Sequence, residues 1–399
     1  MIDRVLIAGA GPVGLVCALA LARSGIAVDI FERVPAAAGG RNIASRASTF
    51  HPPTLEILDA LGVADTMLAR GRRVDAIAWF NRDRRPIARL DLGLLAALTR
   101  FPFRLQYEQG WLTEVITQAL SRERLARLHT GVEVLGARSD ERGAELVVRN
   151  AGDDAGGSTR TERGSIVVAA DGARSAVRDA LNIAFEGNAY PARVLRVMTH
   201  ANMPALVPGL EPVSYIYSEH DSVSLLEQPD CWRVVFRVPG EMSDADALAP
   251  ARIAERIAAF LPHFDHFYAD VYGTSCRLAT NYRAGRVVLA GDAAHITNTR
   301  GGMNMNCGIH DAWELARGIV AIRDGADARQ TLGDYADRRR SVALDQLIPR
   351  TDRNISVAGP QRLRELAAIA ADDALARDFL VKAAMLDMAP ANRRTLTLT

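Results

Sequence analysis

Three short segments of the sequence join glycine to an acidic neighbourhood, and each follows an apolar run. GAGPVG places Gly9, Gly11, Pro12 and Gly14 after RVLIA, DG places Asp171 and Gly172 after IVVAA, and GD places Gly291 and Asp292 after RVVLA. Gly-x-Gly-x-x-Gly between a strand and a helix suits a diphosphate. Gly9 permits the tight turn, Gly11 lets backbone approach the ligand, Gly14 allows close packing, and the helix N-terminus offers N–H donors and the positive dipole end. Glu32 ends the next apolar run roughly 20 residues on, where a carboxylate accepts hydrogen bonds from ribose hydroxyls. NAD and FAD both carry an ADP half, so this turn alone leaves both open.

The elements that must hold these segments follow from periodicity. LVCALALARSG has helical length with Gly25 as its C-cap, and IAVDIFER reads as a second buried strand, which makes a βαβ unit. A helix is expected from near Pro53 to Gly62, and another over 110–123. The stretch 73–105 alternates around NRDRRP as a hairpin would. Strands are expected over 128–150 and 165–170, joined by the exposed polar loop AGDDAGGSTRTERG. PVSYIYS, SVSLLEQ and CWRVVFRV follow as neighbouring strands of an antiparallel sheet, then a helix at 250–261, and 302–390 reads mainly helical. The fold expected is α/β: a Rossmann-like dinucleotide-binding domain with an inserted antiparallel β-sheet substrate domain and a helical C-terminal region. Its parts are assigned as 1–72, 106–183 and 276–325 for the dinucleotide-binding domain, 73–105 and 184–275 for the sheet, and 326–399 for the helices.

Composition narrows the function classes. Lys plus Arg number 48 against 47 Asp plus Glu, a net charge of +1, so nothing draws the chain to nucleic acid or an anionic membrane. Four scattered cysteines form no CxxC pair and have no histidine partner spacing, which predicts no bound metal, no disulfide framework and reduced thiols in a cytoplasmic protein. The N-terminus lacks the long apolar stretch of a cleavable signal, and no run approaches the roughly 18 apolar residues of a membrane span. The chain ends at Thr399 soon after the helical region, so no added C-terminal domain is expected.

Together and in this order, the three segments resemble the fingerprints of the single-component flavoprotein aromatic hydroxylases, the para-hydroxybenzoate hydroxylase-like family. The resemblance runs from position 4 to about 318 and more loosely over the whole chain. It implies FAD as cofactor, NADH or NADPH as co-substrate, and dioxygen as the source of a hydroxyl transferred to a small phenolic or amino-aromatic substrate through a flavin C4a-hydroperoxide. It also implies that Asp292 binds the ribityl chain and that the backbone of Gly301, Gly302, Met303, Asn304 and Met305 faces the flavin pyrimidine edge. Reduced flavin carries negative charge at that edge, and a helix N-terminus stabilises it. Glu32 and Arg33 join the cofactor set, and Arg46 and Gln109 match positions that contact FAD in relatives, a solvated arginine and a surface glutamine being the alternatives. Asp171 is given a structural or cofactor role, while Arg174 and Arg178 are as readily surface charges.

The sequence departs from the family where the flavin face lies. Thr299 stands at a usual proline, Arg300 at a usually uncharged position, Asn304 at the third glycine and Glu314 at a common asparagine. Asn304 is tolerable if its backbone is helical and harmful if positive φ is needed. For the substrate, Tyr215 and Tyr217 share one face by period-two alternation and His200 lies on a neighbouring strand, so these three are the candidates for catalytic polar contacts, with sheet packing as the competing reading. Arg196, Arg233 and Arg237 are either carboxylate ligands or solvated sheet residues. A same-fold flavin oxidoreductase or reductase without hydroxylation, and a non-catalytic FAD-binding sensor, are the alternative functions. Helical segments near 364–388 offer a homodimer face or pack on their own domain.

Overall fold

The computed structural model describes residues 2–35, 47–150, 157–356 and 359–394. Arg4–Ala8, Ala27–Glu32, Ala126–Thr130, Ile166–Ala169 and Val287–Leu289 form a parallel sheet, extended by the antiparallel strand Arg283–Ala284. Its inner strands read as near-continuous apolar runs because both faces are covered, while the edge strand Ala126–Thr130 is polar and only partly buried. Helix Pro12–Arg23 is buried almost all round and packs between the sheet and helices Gln109–Leu120 and Asn304–Arg323. An apolar helix without a polar face has to lie inside the layers. It ends as expected, with Gly25 at φ 79° just beyond Arg23.

A second, seven-stranded sheet runs Tyr268–Tyr272, Ala192–Thr199, Trp232–Pro239, Ser222–Glu227, Val213–Tyr217, Ala76–Asn81, Pro86–Asp91. The hairpin at 76–91 therefore joins the strands after 190 in one sheet. Its junction, Val213–Tyr217 against Ala76–Asn81, is parallel, so the sheet is mixed at one pairing and antiparallel elsewhere. One face buries Phe80, Leu195, Ile216, Val234 and Phe236 against Ile253 and Ile257 of helix Pro250–Ala258. On the other face Ile77, Trp79, Tyr215 and Tyr217 meet Leu366, Ala376 and Leu380 of helices Gly359–Ala370 and Asp373–Ala383. The apolar stripe near 364–388 is thus spent inside the chain.

One expected loop is a strand. Thr159–Gly164 pairs with Ala144–Asn150, which pairs with Val132–Ser139 in a three-stranded antiparallel sheet. TRTERG carries no apolar alternation to announce it. Its backbone ladder and the ion pairs of Arg163 with Glu145 and Asp140, each at 2.7 Å, hold it in place. Among the described residues, no helix is long and apolar enough to cross a membrane.

Candidate active site

The three glycine-acid segments converge on one cleft of about 580 Å³ between the parallel sheet and the seven-stranded sheet. The glycines of the first turn divide the work. Gly9 has φ 95°, and a Cβ there or at Gly14 would collide with backbone, at Ala170 and at Gly9 respectively. Gly11, the N-cap of helix Pro12–Arg23, has nothing within 4 Å of where its Cβ would be, and both Gly11 and Pro12 border the cleft. Glu32 accepts from the Ala10 and Val34 N–H groups at 2.9 Å each and so braces the turn from behind, while Arg33 is exposed. Gln109 borders the cleft; Arg46 lies outside the described residues.

Opposite that turn, Gly301 and Gly302 take φ 89° and 64° and deliver the chain into helix Asn304–Arg323, whose first residues, with Met303, line the cleft. Asn304 is helical, so the geometry that would have penalised a missing glycine is not required. Its side chain instead ties the helix start to the GD segment. Asn304 Nδ2 donates to Asp292 Oδ1 at 2.8 Å, and its Oδ1 lies 3.1 Å from His295 Nδ1. His295 Nε2 then meets Asp311 at 2.8 Å, and Asp311 also accepts from Gly291 N–H at 3.0 Å and Arg339 Nε at 2.6 Å. Burial would raise the Asp311 carboxyl, but Arg339 and then His295 outweigh it and hold it down at about 2. Burial likewise opposes a charged His295, yet Cys307 and Asp311 prevail and hold its pKa well above the ordinary value. His295, Cys307 and Asp311 are grouped closely enough for a metal, but Arg339 already bonds the Asp311 carboxylate and the Cys307 sulfur, the latter at 3.2 Å.

Two further residues, unforeseen in the sequence, clamp the double-glycine turn. His51 Nε2 donates to Gly301 O at 2.9 Å, and Asn306 Nδ2 donates to Gly302 O at 2.7 Å and Thr49 O at 2.8 Å. Burial first, then Arg104, push the His51 pKa well below its ordinary value, so the ring is neutral. Arg178 is also no surface charge. It is buried, donates to Ala173 O and Ala293 O at 3.2 Å each, and stacks on Phe185, tying the second segment to the third. Asp171 accepts from Val177 N–H at 3.2 Å, and burial raises its carboxyl pKa. It braces helix Ala176–Ala180, and its neighbours Gly172 and Ala173 are the residues on the cleft. Arg174 is exposed.

On the sheet side Tyr215 borders both the cleft and a second cavity of about 570 Å³, which Tyr217 also lines; the two spaces share Arg104, Tyr215, Arg300, Gly301 and Met303. Arg300 lies 5.5 Å over the Tyr215 ring and 5.4 Å over Tyr217. Burial raises the Tyr215 hydroxyl, against the pull of Arg104 and Arg300, so it keeps its proton. His200 is not brought to either space. It is exposed at the end of Ala192–Thr199, stacked on Phe267, with Nδ1 3.1 Å from Asp230 O, and its candidacy is corrected on that ground. The sequence placed His200 on a neighbouring β-like stretch but could not show that it falls one residue beyond the strand, which ends at Thr199.

A glycine turn open at Gly11, two helix N-termini and an acid facing one cleft define a flavin-dinucleotide site. The open space at Gly11 and Gly172 and the donor-rich start of helix Asn304–Arg323 fit FAD. The chain belongs to the FAD binding domain family, whose model matches residues 3–348, and its class is that of the flavoprotein aromatic monooxygenases, with FAD as cofactor. It is similar to a para-nitrophenol 4-monooxygenase of Pseudomonas sp. (strain WBC-3), 30% identical over 397 residues and covering 95% of both chains. A pentachlorophenol 4-monooxygenase of Sphingobium chlorophenolicum is 29% identical over 86% of this chain and 63% of its own length. The crystal structure of p-nitrophenol 4-monooxygenase PnpA from Pseudomonas putida DLL-E4 superposes with TM-score 0.86 at 27% identity, covering 95% of this chain and 97% of that one.

Proposed function

We propose that the protein uses NADH or NADPH and dioxygen to hydroxylate a small phenolic or amino-aromatic compound. The observation that carries this is the meeting, in one cleft, of the helix start at 303–305 with the Tyr215 face of the second sheet. The relatives named for nitrophenol and pentachlorophenol monooxygenation support the phenolic class. In this reading the segments 1–72, 106–183 and 276–325 hold the cofactor, and 73–105 with 184–275 supply the substrate face.

Bound FAD supplies the redox chemistry and the activation of oxygen. The chain's own groups orient, shield and hydrogen-bond. Tyr215, protonated and held by Arg104, donates a hydrogen bond to a substrate phenolate oxygen and keeps its own proton, which stabilises the phenolate and so the electron-rich ring that electrophilic hydroxylation needs. Trp79 stacks on Tyr215 at 6.0 Å, fixing that ring and keeping water from one side. With FAD bound, the N–H groups at the start of helix Asn304–Arg323 would offer hydrogen bonds and a positive dipole end to negative charge on the reduced cofactor. The test is to follow NADH and NADPH oxidation by the FAD-loaded protein in air with a panel of phenols and anilines. Substrate-stimulated oxidation with a hydroxylated product supports the reading. Reduction of the flavin without any hydroxylated product moves the protein to the reductase alternative.

A further inference from the structure

The chain from Thr297 to Gly302 lines the cleft along its whole length before it enters helix Asn304–Arg323. It holds no proline, and Thr299 and Arg300 are two of the positions at which the sequence departs from the family. Two bonds close the turn from within. Asn298 Oδ1 accepts from the Arg300 N–H at 3.0 Å, and Thr299 O accepts from the Gly302 N–H at 3.2 Å, while the Thr299 N–H donates to nothing among the described residues. Glycine gives up more conformational freedom on ordering than any other residue, so a turn that ends in Gly301 and Gly302 has to be fixed from outside. His51 and Asn306 grip those two glycines on one side.

On the other side stands Tyr190. Its N–H donates to Thr274 O at 2.9 Å, which seats it at the edge of the cleft, where Thr274 is a lining residue. Its hydroxyl donates to Asp352 of helix Ile348–Ser356 and accepts from Asn298 Nδ2 at 3.3 Å. Burial first, then Asp352, raise the pKa of that hydroxyl above its ordinary value, so it keeps its proton for Asp352 and leaves its oxygen free to accept from Asn298. Asn298 is 4% exposed, and Tyr190 is the one acceptor its amide N–H groups meet among the described residues. The same helix also reaches the turn directly. Arg300 Nη1 donates to Asn354 O at 3.3 Å, and Asn354 Nδ2 lies 3.3 Å from where a Cβ on Gly301 would be. Arg300 and Gly301 stand where the cleft meets the second cavity, so a turn that drifts widens that passage. Water admitted there favours the side reaction in which the nucleotide's two electrons leave with dioxygen as hydrogen peroxide.

We infer that Tyr190 is a positioning residue for this face of the cleft. Its hydroxyl, shared between Asp352 and Asn298, holds the turn 298–301 in register against helix Ile348–Ser356 and so keeps the passage beside Arg300 and Gly301 narrow. The inference rests on the monooxygenase reading for the fate of oxygen, but its proteolysis test does not.

The experiment digests FAD-loaded wild type, Tyr190→Phe, Asp352→Ala and Asp352→Asn briefly with trypsin and identifies the fragments by mass spectrometry. Cleavage after Arg300 reports on the turn, and cleavage after Arg82, exposed between strands Ala76–Asn81 and Pro86–Asp91, is the internal reference. Tyr190→Phe and Asp352→Ala should each raise the Arg300-to-Arg82 ratio about fivefold, the opening expected when one hydrogen bond is lost. Asp352→Asn, whose amide oxygen still accepts from Tyr190, should bring the ratio back towards wild type. In air with NADH or NADPH, the first two substitutions should also raise the share of oxidised nucleotide recovered as hydrogen peroxide, and Asp352→Asn should reverse that rise. A ratio within about twofold of wild type in both Tyr190→Phe and Asp352→Ala, or cleavage that rises equally after Arg82, would overturn the positioning role. Selective cleavage after Arg300 with no hydroxylated product from any of the four proteins keeps that role and sinks the monooxygenase. Hydroxylation by all four with an unchanged ratio does the reverse.

Discussion

Asp311 is the point at which the architecture behind the flavin face can be broken with one atom's change. Its carboxylate is fully buried and accepts from Gly291 N–H at 3.0 Å, His295 Nε2 at 2.8 Å and Arg339 Nε at 2.6 Å. Asp311→Asn keeps the shape but leaves a buried guanidinium without its main counter-charge and takes from the buried imidazolium one of the two groups that hold its charge. Breaking one side of a buried ion pair costs about 3–5 kcal/mol. Glu314, 3.8 Å from Arg339, retains part of the compensation, so the lower end, about 3 kcal/mol, is expected. The fall of the carboxyl from 3.8 to about 2 gives a consistent scale, about 2 kcal/mol at neutral pH. Urea unfolding of the FAD-loaded protein, followed by tryptophan fluorescence to which the buried Trp313 on the same helix contributes, measures the loss. The sign with pH is fixed by the direction of each shift. The depressed Asp311 stabilises the fold above its unfolded pKa, and that contribution is lost as pH falls from near 3.8 towards about 2. The raised His295 stabilises fully below its ordinary 6.5, and its contribution is lost as pH rises through its higher folded value. Wild type should therefore lose stability relative to the variant at both ends, and a variant within about 1 kcal/mol of wild type at pH 5 would refute the role given to the network.

Other expectations follow from the same contacts. Gly11→Val should abolish FAD binding while leaving the thermal melt of the apoprotein near wild type, since its side chain would enter only the open cleft; Gly9→Ala should instead prevent stable folding, visible as loss of soluble protein. Asn304→Gly, which restores the family's residue, should weaken FAD binding about fivefold in a fluorescence titration because Asp292 loses its hydrogen bond. Tyr215→Phe should lower turnover more than it changes substrate affinity, and a drop in affinity alone would argue against hydrogen-bond stabilisation of the phenolate there. His200→Ala should leave turnover within about twofold of wild type, given its exposed position at the sheet edge.

What could be read ahead of the structure was local. The glycine turn, the two DG and GD strand ends and the double glycine before the long helix each occupy a few consecutive residues, so spacing alone exposed them. Period-two alternation placed Tyr215 and Tyr217 on one face, where Tyr215 meets both cavities. The residues that stiffen the site join positions far apart in the chain, and no local pattern marks them. His51 reaches Gly301 across 250 positions, and Asn306 reaches Thr49 across 257. Arg178 looked like a helix surface charge because its carbonyl partners, Ala173 and Ala293, carry no side-chain signature. TRTERG escaped for a different reason: an exposed edge strand held by backbone and ion pairs has no apolar rhythm. Asn304 was visible as a departure, but only the packed helix start shows it spanning Asp292 and His295.

The account stands most directly on the fate of dioxygen. FAD-loaded protein supplied with NADH or NADPH, isotopically labelled dioxygen and a panel of phenols and anilines should yield from at least one of them a ring-hydroxylated product whose new oxygen carries the label, in step with the nucleotide oxidised. Nucleotide oxidation that ends wholly in hydrogen peroxide across the panel of phenols and anilines, with no label in any product, would contradict it.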